Sequence, residues 1–300
     1  GSPCFLRVLN HIYFINNTKD NIMKQLFRRY GVLFSLLILA VGSTAAVAAD
    51  GTPVMTRIQK SGELVLGTSA NMDPMTFKQS DGTPAGLDID LARLMANAME
   101  AKLVIKVMPF KDLIPALRSG EVDVVLSNMT INPSRNMNVA FIGPYLTSGK
   151  CVVTKEETLA KAEEAAELNA KDVSFAVLKD STSEKFVRTL MPNVIVKPVA
   201  NSQEGAEMVT ADKVSGMLTD LPVCLSTIKN NPDAGFVTVV SLLTYEPIGV
   251  AVSGDDPLFI NWTENFLERV TETAMLDVLA VKWFGDLAPR QADEQADEEE

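Results

Sequence analysis

Histidine is almost missing: one in 300 residues, and that one, His11, precedes the first plausible start methionine. A folded chain without histidine has no Ser-His or Cys-His nucleophile pair and no imidazole to hold a metal. Cysteine is nearly as scarce. Three are present, of which only Cys151 and Cys224 lie in the region read below as folded. Their spacing fits no metal motif, and the sequence leaves a bridge between them open because it does not fix their Cα separation. Positive charge is also in short supply. Residues 1–49 hold five of the 27 basic and one of the 38 acidic residues, which leaves 22 against 37 and a net charge of −15. Such a chain has no electrostatic footprint for nucleic acid or for an anionic membrane surface. No apolar run reaches the about 20 residues that a membrane span requires.

The longest apolar run, Val32 to Val41, instead explains the beginning of the chain. It follows Lys24, Arg28 and Arg29 and precedes small residues, "STAAVAAD". This is the pattern of a cleavable secretory signal peptide, residues 23–49, cut after Ala49. Residues 1–22 read as a leader or tag remnant. With no cysteine at the cleavage site a lipid anchor is not expected, so the mature protein is expected in the periplasm, where a disulfide is permitted. At the other end "QADEQADEEE" is a like-charge run, read as a disordered acidic tail over 291–300.

Between these ends, short apolar strands alternate with helical periodicity. "GELVLGTSA" reads as a buried strand feeding a loop. "LDIDLARLMANAMEAK" places Leu87, Leu91, Leu94, Met95 and Ala98 at helical spacing, and "LVIKVM" and "EVDVVL" are further strands. The pattern restarts after "FIGPYLTSGKCVVTK". "KEETLAKAEEAAELNAKD" reads as a surface helix; "VSFAVL", "VIVKPV", "VSGML" and "GFVTVV" read as strands, with helices at "SEKFVRTLM", "SQEGAEMVTAD" and "LPVCLSTIKN". "YEPIGVAV" then crosses to a long helical stretch ending in "KWFG". Alternation of this kind means α/β architecture with largely parallel sheets, here as two lobes with a cleft between them, a favoured place for ligands.

Six segments, "GTPAGLDIDLARLMA", "DLIPALRSGEVDVVLSNMTINPSR", "FIGPYL", "KVSGMLTD", "EPIGVAV" and "KWFG", resemble, in order and spacing, the signature segments of the amino-acid-binding proteins of ABC importers, family 3 of the bacterial extracellular solute-binding proteins. The resemblance runs from about Gly62 to Gly285. It implies a type II periplasmic-binding-protein fold: two α/β lobes joined by a two-strand hinge, with lobe 1 over 50–148 and 247–290 and lobe 2 over 149–246. It further implies a monomer that captures an amino acid or related zwitterion by closing about the hinge, then delivers it to the ABC transporter permease. Nothing in the sequence calls for a cofactor.

By the same resemblance, Arg135 pairs with the ligand's α-carboxylate, through the short, directional bonds that a guanidinium makes with a carboxylate. Asn128, Met129 and Thr130 add contacts, with Asn132 standing where threonine is common. Asp220, just after a strand, receives the α-ammonium; a helix N-cap is its alternative role. Phe110 stands where an aromatic wall is usual. The first loop offers Ser69, Met72 and Met75 in place of a second aromatic, and methionines there serve equally well as core filler. Ser181 and Thr182, at a helix start, are placed to bond the carboxylate. Asp180 beside them departs from the family's usual glycine. A cyclohexadienyl-dehydratase-like enzyme on the same fold is the alternative; elimination needs a positioned general acid, and Asp73, Asp180 and Asp220 are the candidates.

Overall fold

The computed structural model describes residues 51–238 and 243–285. The expected leader, signal peptide and acidic tail lie outside the described residues.

Numbered in chain order, the first half comprises α1 (Pro53–Ser61), β1 (Glu63–Thr68), β2 (Asn71–Met72), β3 (Thr76–Lys78), β4 (Pro84–Ala85), α2 (Leu87–Ala98), β5 (Lys102–Val107), α3 (Leu113–Arg118), β6 (Val124–Val125), α4 (Pro133–Asn136) and β7 (Ala140–Ser148). The second half comprises β8 (Lys150–Thr154), α5 (Glu157–Ala160), β9 (Ser174–Leu178), α6 (Thr182–Leu190), β10 (Ile195–Val199), α7 (Ser202–Thr210), β11 (Gly216–Asp220), α8 (Leu221–Asn230), β12 (Glu246–Val252), α9 (Pro257–Glu272) and α10 (Met275–Phe284).

Two larger sheets carry the molecule, beside a small third sheet in the order β2-β3-β4. The first has the order β5-β1-β6-β12-β7 and the second β10-β9-β11-β8. In the first, β5, β1 and β6 run parallel while β12 is antiparallel to both neighbours. In the second, only β8 runs antiparallel. Each sheet has its own core. Leu64, Leu66, Leu91 and Met95 pack with Phe259, Phe266 and Phe284 from the returning C-terminal helices. Phe175, Val177, Val187 and Leu218 fill one side of the second sheet. The chain crosses between the sheets twice. Ser148 on the outgoing path pairs with Glu246 on the return, and Lys150 O accepts from Leu243 N (3.0 Å).

Local chemistry accounts for the elements that matter to the cleft. Helix α2 begins at Gly86, whose φ of +127° suits glycine. A Cβ there would stand 2.2 Å from Met75 O. Pro133 opens the single turn of α4, and Asn132 caps it by accepting from Arg135 N (2.9 Å), the pairing expected of an Asn cap before an N1 proline.

Four readings of the sequence are corrected in detail. The strand in "EVDVVL" is confined to Val124–Val125. The Ala/Glu/Lys-rich segment is not one helix; it forms α5 and a separate 3-10 turn at Ala165–Leu168, because Ala160, Ala162 and Leu168, which share no helical face, are all drawn into burial. In "GFVTVV", Val237 makes one isolated bridge with Thr154, and Val239 and Val240 are outside the described residues. The final helical stretch divides at Ala274, where φ is +55°.

Candidate functional site

Strands β1 and β6 end side by side, and the loops that follow them form one wall of the cleft. Ser69 is buried; its amide donates to Ser127 Oγ (3.0 Å) and its hydroxyl donates to Asn71 Oδ1 (2.7 Å). Asn128 adopts a left-handed φ of +48°, which asparagine tolerates better than most residues. A buried carboxylate holds it there: Asn128 N donates to Asp88 Oδ2 (2.7 Å) and Tyr145 Oη donates to Asp88 Oδ1 (2.7 Å). Burial pushes the Asp88 carboxyl up to about 7. Met129 is fully buried with Leu113, Leu117 and Val139, so it supports the loop from beneath. Thr130 bridges to Ile248, Met129 O accepts from Gly249 N (3.1 Å), and Ile131 N donates to Pro247 O (2.7 Å). The loop is thus stitched to β12.

Arg135 stands half-buried on α4. Its guanidinium lies 5.2 Å from the centre of the Phe110 ring and donates from Nη1 to Thr130 O (2.9 Å). Burial lowers its pKa, while the charges of Glu246 and Asp220 pull it back up. Five N–H groups in a planar fork, fixed on one side only, are ready for a carboxylate. A cavity of about 410 Å³ opens beside it, lined among others by Arg135, Asp180, Ser181, Thr182, Glu184 and Arg188.

Residues from the second sheet complete that cavity. Ser181 is the N-cap of α6: its hydroxyl accepts from Glu184 N (3.2 Å) and donates to Leu178 O (2.6 Å). Asp180 is exposed at φ +62°; its N–H donates to Glu184 Oε2 (2.8 Å), so the cap belongs to its neighbour. Thr182 Oγ1 accepts from Lys150 Nζ (2.8 Å).

Asp220 ends β11 and occupies the N-cap position of α8 without capping it. Both its oxygens are engaged elsewhere. Oδ1 pairs with Lys150 Nζ, and Oδ2 accepts from Asn128 Nδ2 (2.8 Å). Lys150 is completely buried, with Glu246 Oε1 at 3.6 Å as a second counter-charge. An ammonium so far from water needs such partners. Arg135, Lys150, Asp220 and Glu246 therefore make a balanced group of two cations and two anions. Lys150 and Glu246 were missed in the sequence. A lone Lys in an apolar strand, "SGKCVV", and a Glu before proline in "YEPIGVAV" were the available signals.

Among the described residues, hydrogen bonds that join the two sides across the cleft include Asn128 Nδ2 to Asp220 Oδ2 (2.8 Å), Asn71 Nδ2 to Ala200 O (3.0 Å) and Asn230 Nδ2 to Asp73 Oδ2 (2.9 Å). Met72 buries itself among Cys151, Leu178 and Val223 of the opposite side, with Sδ 3.6 Å from Asn128 Nδ2; Met75 is core beneath α2. A second cleft, of about 780 Å³, is lined by Ser69, Asn71, Asp73, Asn201, Ser226 and Asn230 among others. Burial raises the Asp73 carboxyl pKa. Cys151 and Cys224 form a disulfide, joining β8 to α8 with Cα atoms 6.6 Å apart.

This arrangement has well-defined relatives. Residues 64–286 match the bacterial extracellular solute-binding proteins, family 3. An arginine-binding extracellular protein of Bacillus subtilis is 28% identical over 255 residues, covering 83% of this chain and 96% of the relative. Among solved structures, a binding component of an ABC transporter from Wolinella succinogenes, complexed with lysine, superposes with a TM-score of 0.71 at 30% identity, covering 75% of this chain and 97% of that one. An ancestral amino-acid-binding protein, a precursor of cyclohexadienyl dehydratase, gives a TM-score of 0.70 at 33% identity over 77% of this chain and 99% of its own length. All three are described as binding proteins. The two-sheet, two-crossing architecture is the type II periplasmic-binding-protein fold, and the chain belongs to the bacterial extracellular solute-binding proteins, family 3.

Proposed function

We propose that this protein is a periplasmic binding protein that closes on an α-amino acid between its two lobes and hands it to the permease of an ABC importer. The observation that carries the reading is Arg135: half-buried, stacked on Phe110, bonded on one side to Thr130 O, and facing the start of α6 across a small cavity. The α6 N-terminus adds positive potential to the same space, where Thr182 contributes a hydroxyl. The larger polar cleft, with Asp73, Asn71 and Asn230 on its walls, favours a ligand with a polar side chain. Two relatives support this, one an arginine-binding protein and one solved with lysine. The protein works as a monomer that reaches the periplasm by its signal peptide.

Calorimetric titration of protein freed of co-purified ligand, against a panel of amino acids, tests the reading. At least one should bind, and Arg135→Ala should weaken it by several kcal/mol, on the order of the loss from an unpaired desolvated charge. Undiminished binding to that variant would count against the assignment.

Binding without turnover is the reading that the acids favour. Asp220 is ion-paired to Lys150, Asp180 is exposed, and Asp73 is hydrogen-bonded by Asn230 in the other cleft. No pair of them forms a recognisable acid–base arrangement. Incubation with prephenate or arogenate should leave both unchanged; an aromatic product would establish the enzymatic alternative.

A further inference from the structure

We propose that the ligand's side chain ends in a cation, and that Asp73 receives it within the cleft of about 780 Å³. The inference rests on the reading that an α-amino acid binds against Arg135, and it names the class of side chain. Two walls of this cleft run on into the Arg135 site. Met108 and Pro109 line it, and the next residue, Phe110, carries the Arg135 guanidinium 5.2 Å from the centre of its ring. Ser69 lines it as well, with its amide donating to Ser127 Oγ (3.0 Å). Asn128, the residue after Ser127, reaches Asp220. A guest held at Arg135 therefore has this cleft as room for its side chain.

The lining spends its donors on the protein. Five amide side chains line the cleft: Asn71, Asn201, Gln203, Asn230 and Asn231. Asn71 Nδ2 donates to Ala200 O (3.0 Å) and Gln203 Nε2 to Glu207 Oε1 (3.1 Å). Asn230 Nδ2 donates to Asp73 Oδ2 (2.9 Å) and Asn231 Nδ2 to Thr227 O (2.8 Å). Each of these partners is a carbonyl or an ionised carboxylate, which only accepts, so the orientation of all four amides is fixed. Asn201 is set the other way, its Oδ1 accepting from Glu204 N (2.8 Å). What the four leave for a guest is weighted toward oxygen acceptors. The charge has the same sign. Among the described residues, Asp73 is the one carboxylate that lines the cleft, and Lys78, the one cation, is exposed. Burial raises the Asp73 pKa, while hydrogen bonds from Ser226 and Asn230 and the charge of exposed Lys229 pull it back. A carboxylate partly stripped of water gains most from a partner that brings positive charge and N–H donors together. An ammonium or guanidinium supplies both. A neutral amide supplies donors alone, and a second carboxylate would be repelled.

The test titrates ligand-free protein with two pairs matched in shape: arginine against citrulline, and lysine against norleucine. Citrulline carries a neutral urea group in place of the guanidinium, and norleucine lacks the terminal nitrogen. Wild type should favour the cationic member of at least one pair by about 10- to 100-fold, the scale of a hydrogen bond to a charged group. Asp73→Asn, which keeps an acceptor for Asn230, should remove that preference. A preference that survives Asp73→Asn would overturn the inference. So would a wild type that binds the neutral partners equally well, or binds only amino acids with neutral or acidic side chains. In those cases a loss of affinity in Arg135→Ala would still sustain the Arg135 reading. Failure of wild type to bind any amino acid would instead remove that reading, and this inference with it. A crystal structure of the wild-type complex needs no variant to fold. It should place the side-chain nitrogen within hydrogen-bond distance of the Asp73 carboxylate; a side chain turned out of this cleft would overturn the proposal.

Discussion

Lys150 dominates the site at the level of single residues. It is completely buried, yet it stands in a short apolar strand where sequence reasoning sees only alternation. Charged side chains in strands usually face water, and only the fold discloses that Asp220, Glu246 and Thr182 converge on this one. Arg135 stands out for a different reason: small polar residues after a core strand, then a guanidinium, form a local pattern, and its role as a carboxylate partner is what the resemblance implies. Replacing Lys150 by Met strands two buried carboxylates. The expected cost is about 3–5 kcal/mol of folding stability, measured by urea denaturation; a loss below about 1 kcal/mol, the range of exposed pairs, would show that the pair is solvated. Asp88 makes a separate statement about pH. Its folded pKa is raised from 3.8 to about 7 by burial, so the folded state binds more protons than the unfolded one between those values. The contribution is present at acid pH and is lost as pH rises through that window. Melting curves of wild type and Asp88→Asn should diverge progressively across about pH 4–7 and run parallel above it.

Elements were read well wherever apolar periodicity and chain punctuation agreed. Helix α2 followed its Leu, Ile and Met spacing, α6 and α8 follow Ser181 and Asp220, both read above as helix starts, and α7 opens at Ser202 as "SQEGAEMVTAD" suggests. Propensity failed at residues 155–172, where Ala, Glu and Lys promise a helix and burial of Ala162 and Leu168 decides otherwise. The disulfide was beyond the sequence's reach because β8 and α8 are separated by 73 positions between the two cysteines. It joins the residue after Lys150 to the helix that starts after Asp220. Reduction, or the Cys151→Ala/Cys224→Ala pair, should lower stability by about 2–4 kcal/mol, seen as a lower denaturation midpoint. An unchanged midpoint would mean that packing alone holds β8 against α8.

For the whole molecule, strand–helix alternation with one return crossing was enough to announce two sheets and a cleft between them. How the lobes meet was not legible, because contacts such as Asn71 to Ala200 and Asn230 to Asp73 join positions far apart in the chain. Those contacts join the two sides, with the Arg135 guanidinium on one of them and Asp220 and Glu246 paired with Lys150 between them. The central claim is that the guest is gripped by its α-carboxylate at Arg135. It is tested most directly by titrating ligand-free protein with the best-binding amino acid and with its α-carboxamide, which keeps the ammonium and the side chain but removes the negative charge. The account predicts that the amide binds at least about 100-fold more weakly, the scale of a lost charge-assisted pair. Equal affinity for acid and amide would contradict it.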